Sequence, residues 1–218
     1  MSGDNKKNLK RAMFEALNAQ LASDGFILKA SKDSFVRRRN GTVDIFQLVC
    51  LADQPGWRIQ PNVAVRVDRV EEIFHHTSGF ELKYQKDTPT IGGAIGNIIK
   101  NSNRACEFPL KADADVALVV ESIVRVFREF ALPYFDRFSS LSAIDAELND
   151  NPGERTPNRV APWLRCASGV IVAKLIGRSN YQQLVEIYTE AMRLSDKGFY
   201  LHRFEALIKE LESSGGNQ

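Results

Sequence analysis

The stretch that decides the fold is DSFVRRRNGTVDIFQLVCLADQPGWRIQPNVAVRV, Asp33–Val67. Asn40-Gly41 sits between two runs rich in β-formers, Ser34–Arg39 and Thr42–Leu51. Both turn residues tolerate positive φ, so the dipeptide is the strongest short-range hairpin signal. A two-residue turn fixes the register: Arg39 faces Thr42, Arg38 faces Val43, Arg37 faces Asp44, Val36 faces Ile45 and Phe35 faces Phe46. Phe35, Arg37 and Arg39 then share a side with Asp44, Phe46, Leu48 and Cys50. The other side carries Val36, Val43, Ile45 and Val49. Both sides of Thr42–Leu51 are apolar away from the turn, which predicts an inner strand. The Arg37–Asp44 pair is expected to add a few tenths of a kcal/mol up to about 1 kcal/mol.

Working outward, Asp53-Gln54-Pro55-Gly56 reads as a turn. Arg58–Val67 alternates Ile59, Val63, Val65 and Val67 with Gln60, Asn62, Ala64 and Arg66, so one side is expected to be buried. Upstream, Asn8–Ala22 has helical spacing and Gly25 is placed to end it. Phe26–Ala30 reads as a short strand. Downstream, Asp68 is expected to cap a helix over Arg69–Thr77. Ile91–Ile99 reads as a glycine-rich, bulged strand and Asn103–Leu110 as another. Asp113–Phe130 is predicted as a long helix with a stripe of Val116, Val119, Val120, Ile123, Val126 and Phe127, stopped by Pro133. Helices are then expected over Ser140–Leu148, Val160–Ile176, Tyr181–Leu194 and Leu201–Ser213. No internal period recurs, which argues against a repeat array.

The class predicted is therefore α+β: an antiparallel sheet of four to six strands with packed helices and a C-terminal helical bundle. The expected division is a sheet domain over 1–138 and a helical region over 139–218.

The order of elements and several motifs resemble the bacterial domain-of-unknown-function family 4304. The residues that carry the resemblance are Phe35, Arg37, Asn40, Gly41 and Gln47 in the hairpin, Asn62, Val63 and Val65 in the next strand, and Pro133-Tyr134-Phe135. The resemblance spans most of residues 8–140 and, more loosely, the C-terminal helices. It implies an α+β fold and no established activity.

Composition bounds the function. The chain has 218 residues, 44% of them hydrophobic and 26% charged, which is the profile of an ordinary globular protein and needs no metal or disulfide staple. The most apolar run, Val160–Ile176, is broken by Arg165 and Lys174, and no membrane association is expected. The N-terminal charges interrupt any secretory core. Three scattered cysteines, Cys50, Cys106 and Cys166, read as free thiols, so a cytoplasmic location is expected. Charge is uneven: residues 1–66 hold 11 Lys/Arg against 6 Asp/Glu, and residues 67–150 hold 9 against 14. That split predicts either internal complementarity or an acidic partner.

No catalytic residue is assigned and no cofactor is expected. There is no G-x-S-x-G elbow. Ile91–Asn97 is glycine-rich but lacks the Gly-Lys-Ser/Thr of a phosphate loop and the βαβ setting of a dinucleotide site. Asp113 and Asp115 read as helix-start charges. Glu71, Glu72, His75 and His76 are the candidate metal ligands, as two i,i+4 pairs on neighbouring helix faces. Zinc wants three or four ligands, and the spacing is not that of zincins, so surface Glu–His pairs are the favoured reading. The candidate binding residues are Arg37, Arg39, Arg58, Gln60, Asn62 and Arg66. The arginines allow a nucleic-acid or phosphate-binding face, but the pI of about 8.4 is modest for one. Three functions follow in order of preference. The first is a non-enzymatic protein-interaction module, immunity-like or accessory, with another protein as partner. The second is a nucleic-acid or phosphate binder, and the third a metal-dependent hydrolase.

Overall fold

The computed structural model describes residues 3–99 and 106–213. The chain divides into two compact units. The first comprises the residues up to Val65 with Gly92–Arg137; the second comprises Arg66–Ile91 and the chain from Phe138 onward. The later boundary falls after Arg137. Unlike the expected division, Arg66–Ile91 groups with the C-terminal helices. The reason is a long-range contact invisible in local sequence: the helix in that segment packs on two C-terminal helices.

In the first unit, α1 (Gly3–Leu21) leads through one 3-10 turn to β1 (Ile27–Lys29), β2 (Ser34–Arg39), β3 (Thr42–Asp53) and β4 (Gly56–Val67). Gly25 ends the 3-10 turn at φ 82°, a left-handed position that suits a residue without Cβ. The sheet runs β1-β2-β3-β4-β5, with β5 spanning Ile91–Ala94, and β6 (Phe108–Leu110) also pairs with β4. It is antiparallel, so the α+β class holds. The hairpin register is the one predicted, from Arg39↔Thr42 through Phe35↔Phe46. β3 is an inner strand, as its composition implied.

Aromatic packing fixes which side of the sheet is covered. Phe14 of α1 stacks on Phe35 of β2 with centroids 5.8 Å apart. Phe127 meets Phe46 of β3 at 5.1 Å and Phe26 at 5.0 Å. All five rings are at most 6% exposed. β4 alternates as predicted: Ile59, Val63 and Val65 are buried, while Gln60, Asn62 and Ala64 are half-buried.

Several local expectations are corrected. The glycine-rich run is not one long strand: β5 ends at Ala94 and a short helix, α4 (Ile95–Ile98), follows. Of the strand expected over Asn103–Leu110, residues 103–105 lie outside the described residues. The long helix does not stop at Pro133. α5 (Asp115–Val126) continues through a π turn, Phe127–Ala131, into α6 (Leu132–Arg137). In the π turn the Leu132 amide bonds Phe127 O, five residues back, and this wider turn lets the helix run past the proline. Asp113 does not cap α5. Asp115 Oδ2 instead accepts the Lys111 and Ala112 amides at 2.7 and 2.8 Å, tying the preceding loop to the helix start.

The second unit holds α2 (Asp68–Thr77), α3 (Leu82–Gln85), α7 (Leu141–Asn149), α8 (Pro162–Leu175), α9 (Tyr181–Leu194) and α10 (Leu201–Ser213). α8 packs on α7, α9 and α2, and α10 on α9, α8 and α2, so the expected C-terminal bundle includes α2. Asp68 is the first residue of α2 rather than its cap, and its carboxylate accepts from Arg66 Nε at 3.0 Å. Ser140 caps α7 by accepting the Ala143 amide. The other end of α7 is closed by arginines. Arg165 donates to Leu148, Asn151 and Pro152 carbonyls, and Arg178 to the Asn149 carbonyl and to Asp145 and Asp150. These cations satisfy orphan carbonyls and suit the negative end of the helix. Among the described residues, no helix is long and apolar enough to cross a membrane.

Candidate functional site

In the first unit, Arg37 and Arg39 converge on one carboxylate. Asp44 Oδ2 accepts Arg37 Nε at 2.9 Å and Arg39 Nε at 2.7 Å, and Asp44 is fully buried. Arg37 also lies over the Phe26 ring at 4.7 Å and donates to Asp24 O, while Arg39 reaches Asp136 at 3.0 Å. Burial pushes the Asp44 carboxyl above its usual range, and the two guanidiniums oppose that push. The pair is thus larger than a surface cross-strand match: a carboxylate out of water with two cationic donors is strongly destabilised if either side is removed. The consequence for function is that these guanidiniums are committed within the unit.

Arg58 and Gln60 both use Glu107, Arg58 at 3.6 Å and Gln60 through its amide. Asn62 is half-buried beside them along β4. Arg66 falls in the other unit. Its guanidinium donates to Asp68, to the Gln85 and Thr88 carbonyls at 2.8 and 2.9 Å, and to Thr88 Oγ1. The six candidate binding residues are therefore not one constellation.

The side of the first unit's sheet opposite the aromatic rings is a different surface. Ile27 of β1 pairs with Val36 of β2, and Val36 with Ile45 of β3, so the three share a side. Ile27 is 64% exposed. Val36, Ile45, Val49 and Leu51 are half-buried, and Gln47 is exposed. The apolar residues of β3 on this side had implied an inner strand, and lateral pairing with β2 and β4 makes it one. The sequence carried no signal that this side would stay half open, because lateral pairing and face-to-face cover leave the same residue pattern. Strand parity does mark its members.

In the second unit, the Glu–His candidates split. Glu71 and His75 come together, with His75 Nε2 3.8 Å from Glu71 Oε2. Glu72 turns to Arg69 on the surface, and His76 to Glu210 of α10. Among the described residues no group of three or more His, Cys, Asp and Glu is placed to hold a metal ion. What Glu71 and His75 join is a buried hydrogen-bonded chain. Ser78 Oγ accepts the Phe80 amide at 3.1 Å and lies 3.0 Å from His75 Nδ1. His75 Nε2 lies 2.7 Å from Thr88 Oγ1, which donates to Glu71 Oε2 at 2.6 Å. Thr90 accepts the Val67 amide and donates to Glu71 Oε1 at 2.8 Å.

These links are met when Ser78 donates to Nδ1, Nε2–H donates to Thr88, and both threonines donate to an ionised Glu71; the single Thr88 hydrogen is then not shared with the Gln85 carbonyl 3.0 Å away. His75 is then neutral, in agreement with the lowering of its pKa by burial and by Arg66. Burial pushes the Glu71 carboxyl up, against Arg159, Thr88, Thr90 and Arg66. Both ends of the chain finish on backbone amides, so its effect is to clamp residues 80–90 to α2. Ser78, Thr88 and Thr90 were not singled out in the sequence, since nothing local ties a hydroxyl to a carboxylate seventeen or nineteen positions away.

Two of the thiols, Cys50 and Cys166, are held protonated at neutral pH by burial. Burial raises Cys50 to about 11 and Cys166 to about 12. All three cysteines are free, as expected.

Comparison with protein-family models, with curated proteins and with solved structures returned no match.

Proposed function

We propose that the protein is a non-enzymatic interaction module, immunity-like or accessory, that docks another protein on the half-open side of its first unit's sheet. The observation that carries this reading is the sidedness of β1–β3. One side is closed by phenylalanines, while the other presents aliphatic side chains that include the 64% exposed Ile27. An aliphatic sheet surface gains about 25 cal/mol for each Å² removed from water, so a second layer stabilises it. The residues that resemble family 4304 all lie in this unit. Free cysteines fit a reducing cytoplasm as the setting.

The alternatives draw less support. Arg37, Arg39 and Arg66 spend their donors on internal acceptors, which leaves fewer for phosphate. A metal-dependent hydrolase would need Glu72 and His76 beside Glu71 and His75, and they pair elsewhere. The test is affinity capture from the native host with wild type and with Ile45→Asp/Val49→Asp. A protein recovered by wild type and lost by the variant, with an unchanged circular dichroism spectrum, supports the reading. Equal recovery by both contradicts it.

A further inference from the structure

We infer that the docked protein lays an amphipathic α-helix of about four turns along β3, an inference that rests on the docking reading above. Strand pairing draws the outline of the apolar surface. Ile45, Val49 and Leu51 follow one another along β3, with the exposed Gln47 between the first two. Val36 of β2 and Ile27 of β1 widen the row at Ile45. Polar residues bound it. Ser34 and Arg38 flank Val36 on β2, and Lys29 stands beside Ile27 on β1. Parity puts Asp53 beyond Leu51. On β4 the residues that alternate with buried Ile59 and Val63 are Arg58, Gln60 and Asn62.

This outline selects the occupant. From residue 45 to residue 51 a strand rises about 20 Å, and the two strand spacings from β1 to β3 span about 10 Å. One helix, about 10 Å across and about 13 residues long, has that footprint. A second sheet would also lie over β4, and would bury Arg58, Gln60 and Asn62 with the aliphatic row at the cost of their water. A single extended strand is about half as wide and leaves Ile27 and Val36 uncovered. A helix with apolar residues at i, i+3, i+4 and i+7 covers the row and keeps both polar margins wet. That helix belongs to another protein rather than to a second copy of this chain. Among the described residues, α5 and α9 each show one strongly exposed large apolar side chain, Leu118 and Leu194, and no other helix of eight residues or more shows any. None of them presents the stripe that the row requires.

The experiment is a two-point ruler on the full chain in its native host. One variant carries a photo-crosslinking phenylalanine derivative at Gln47 and another carries it at Asp53. Both positions share this side; Gln47 is exposed and the Asp53 side chain is 43% exposed. Mass spectrometry locates the attached residues. The expected result is two cross-links in one stretch of a different protein, about 13 residues apart, because a helix takes about 13 residues to cover the strand rise of about 20 Å from 47 to 53. An extended partner would place them about six residues apart. A synthetic peptide of that stretch, titrated with the purified wild-type chain, should gain helical circular dichroism. A separation of about six residues, cross-links in two stretches remote in the partner's sequence, or a peptide that binds without gaining helix overturns the helix and leaves docking standing. A fragment of this same chain overturns the foreign helix in the same way. A nucleic-acid adduct, or no adduct from either variant above the non-irradiated sample, sinks the docking reading and this inference with it.

Discussion

Residue pairs show how far strand parity reaches and where it ends. Parity put Arg37 opposite Asp44, and the pair forms. It did not show that Arg39 would share the same oxygen or that Asp44 would be fully buried, because both depend on the helices laid over that side. The i,i+4 spacing likewise brought Glu71 to His75 but could not foresee Thr88 between them. The neutral His75 has a pH consequence. Its folded pKa is lowered by burial and by Arg66, so its contribution is present above the unfolded value near 6.5 and is lost as pH falls below it. Glu71, raised by burial, acts in the opposite sense: its contribution is present below the ordinary carboxylate value of 4.5 and is lost as pH rises through the folded pKa. Comparing wild type with His75→Gln isolates the histidine. The stability advantage of wild type, measured by urea unfolding, should shrink between pH 7 and about pH 5.5. An advantage that stays constant or grows contradicts the hydrogen-bond assignment.

Elements were legible where their punctuation is local. Asn40-Gly41 fixed β2 and β3, and α9 and α10 run over the predicted residues. The failures come from partners distant in sequence or from backbone alternatives. Pro133 reads as a stop, yet a π turn carries the helix past it. Asp68 and Asp113 read as helix caps, yet neither side chain caps its helix, while Asp115 does stand in the first turn of α5 as a helix-start charge. The glycine cluster reads as a bulge or tight turn; the structure gives Gly92 a reason of its own. A Cβ there would stand 2.5 Å from Val63 O and 2.6 Å from Ala64 Cα, both backbone atoms of β4. Gly92→Ala should therefore destabilise the protein by about 1–3 kcal/mol through overpacking. Urea denaturation checks this, and a loss under about 0.5 kcal/mol, the usual range for surface changes, would contradict the close approach of β5 to β4.

Across the whole molecule, class and strand order near the hairpin followed from the sequence, while the grouping of residues did not. α2 belongs with α8 and α10, so Arg66 and Asn62, close along one strand, serve different units. The candidate site changed in the same way. The arginines at 37, 39 and 66 are committed internally, and the surface that remains on β1–β3 is aliphatic. The central claim is that this side of the sheet is where another protein sits. The direct measurement is hydroxyl-radical footprinting of the protein in native-host extract against the purified chain, read at Ile27, Val36 and Ile45. Leu82 and Leu194, 84% and 75% exposed in the second unit, serve as controls. The account predicts that oxidation of Ile27 and Ile45 drops severalfold in extract while Leu82 and Leu194 are unchanged. Equal oxidation of Ile27 and Ile45 in both samples, or protection only at Leu82 and Leu194, would contradict it.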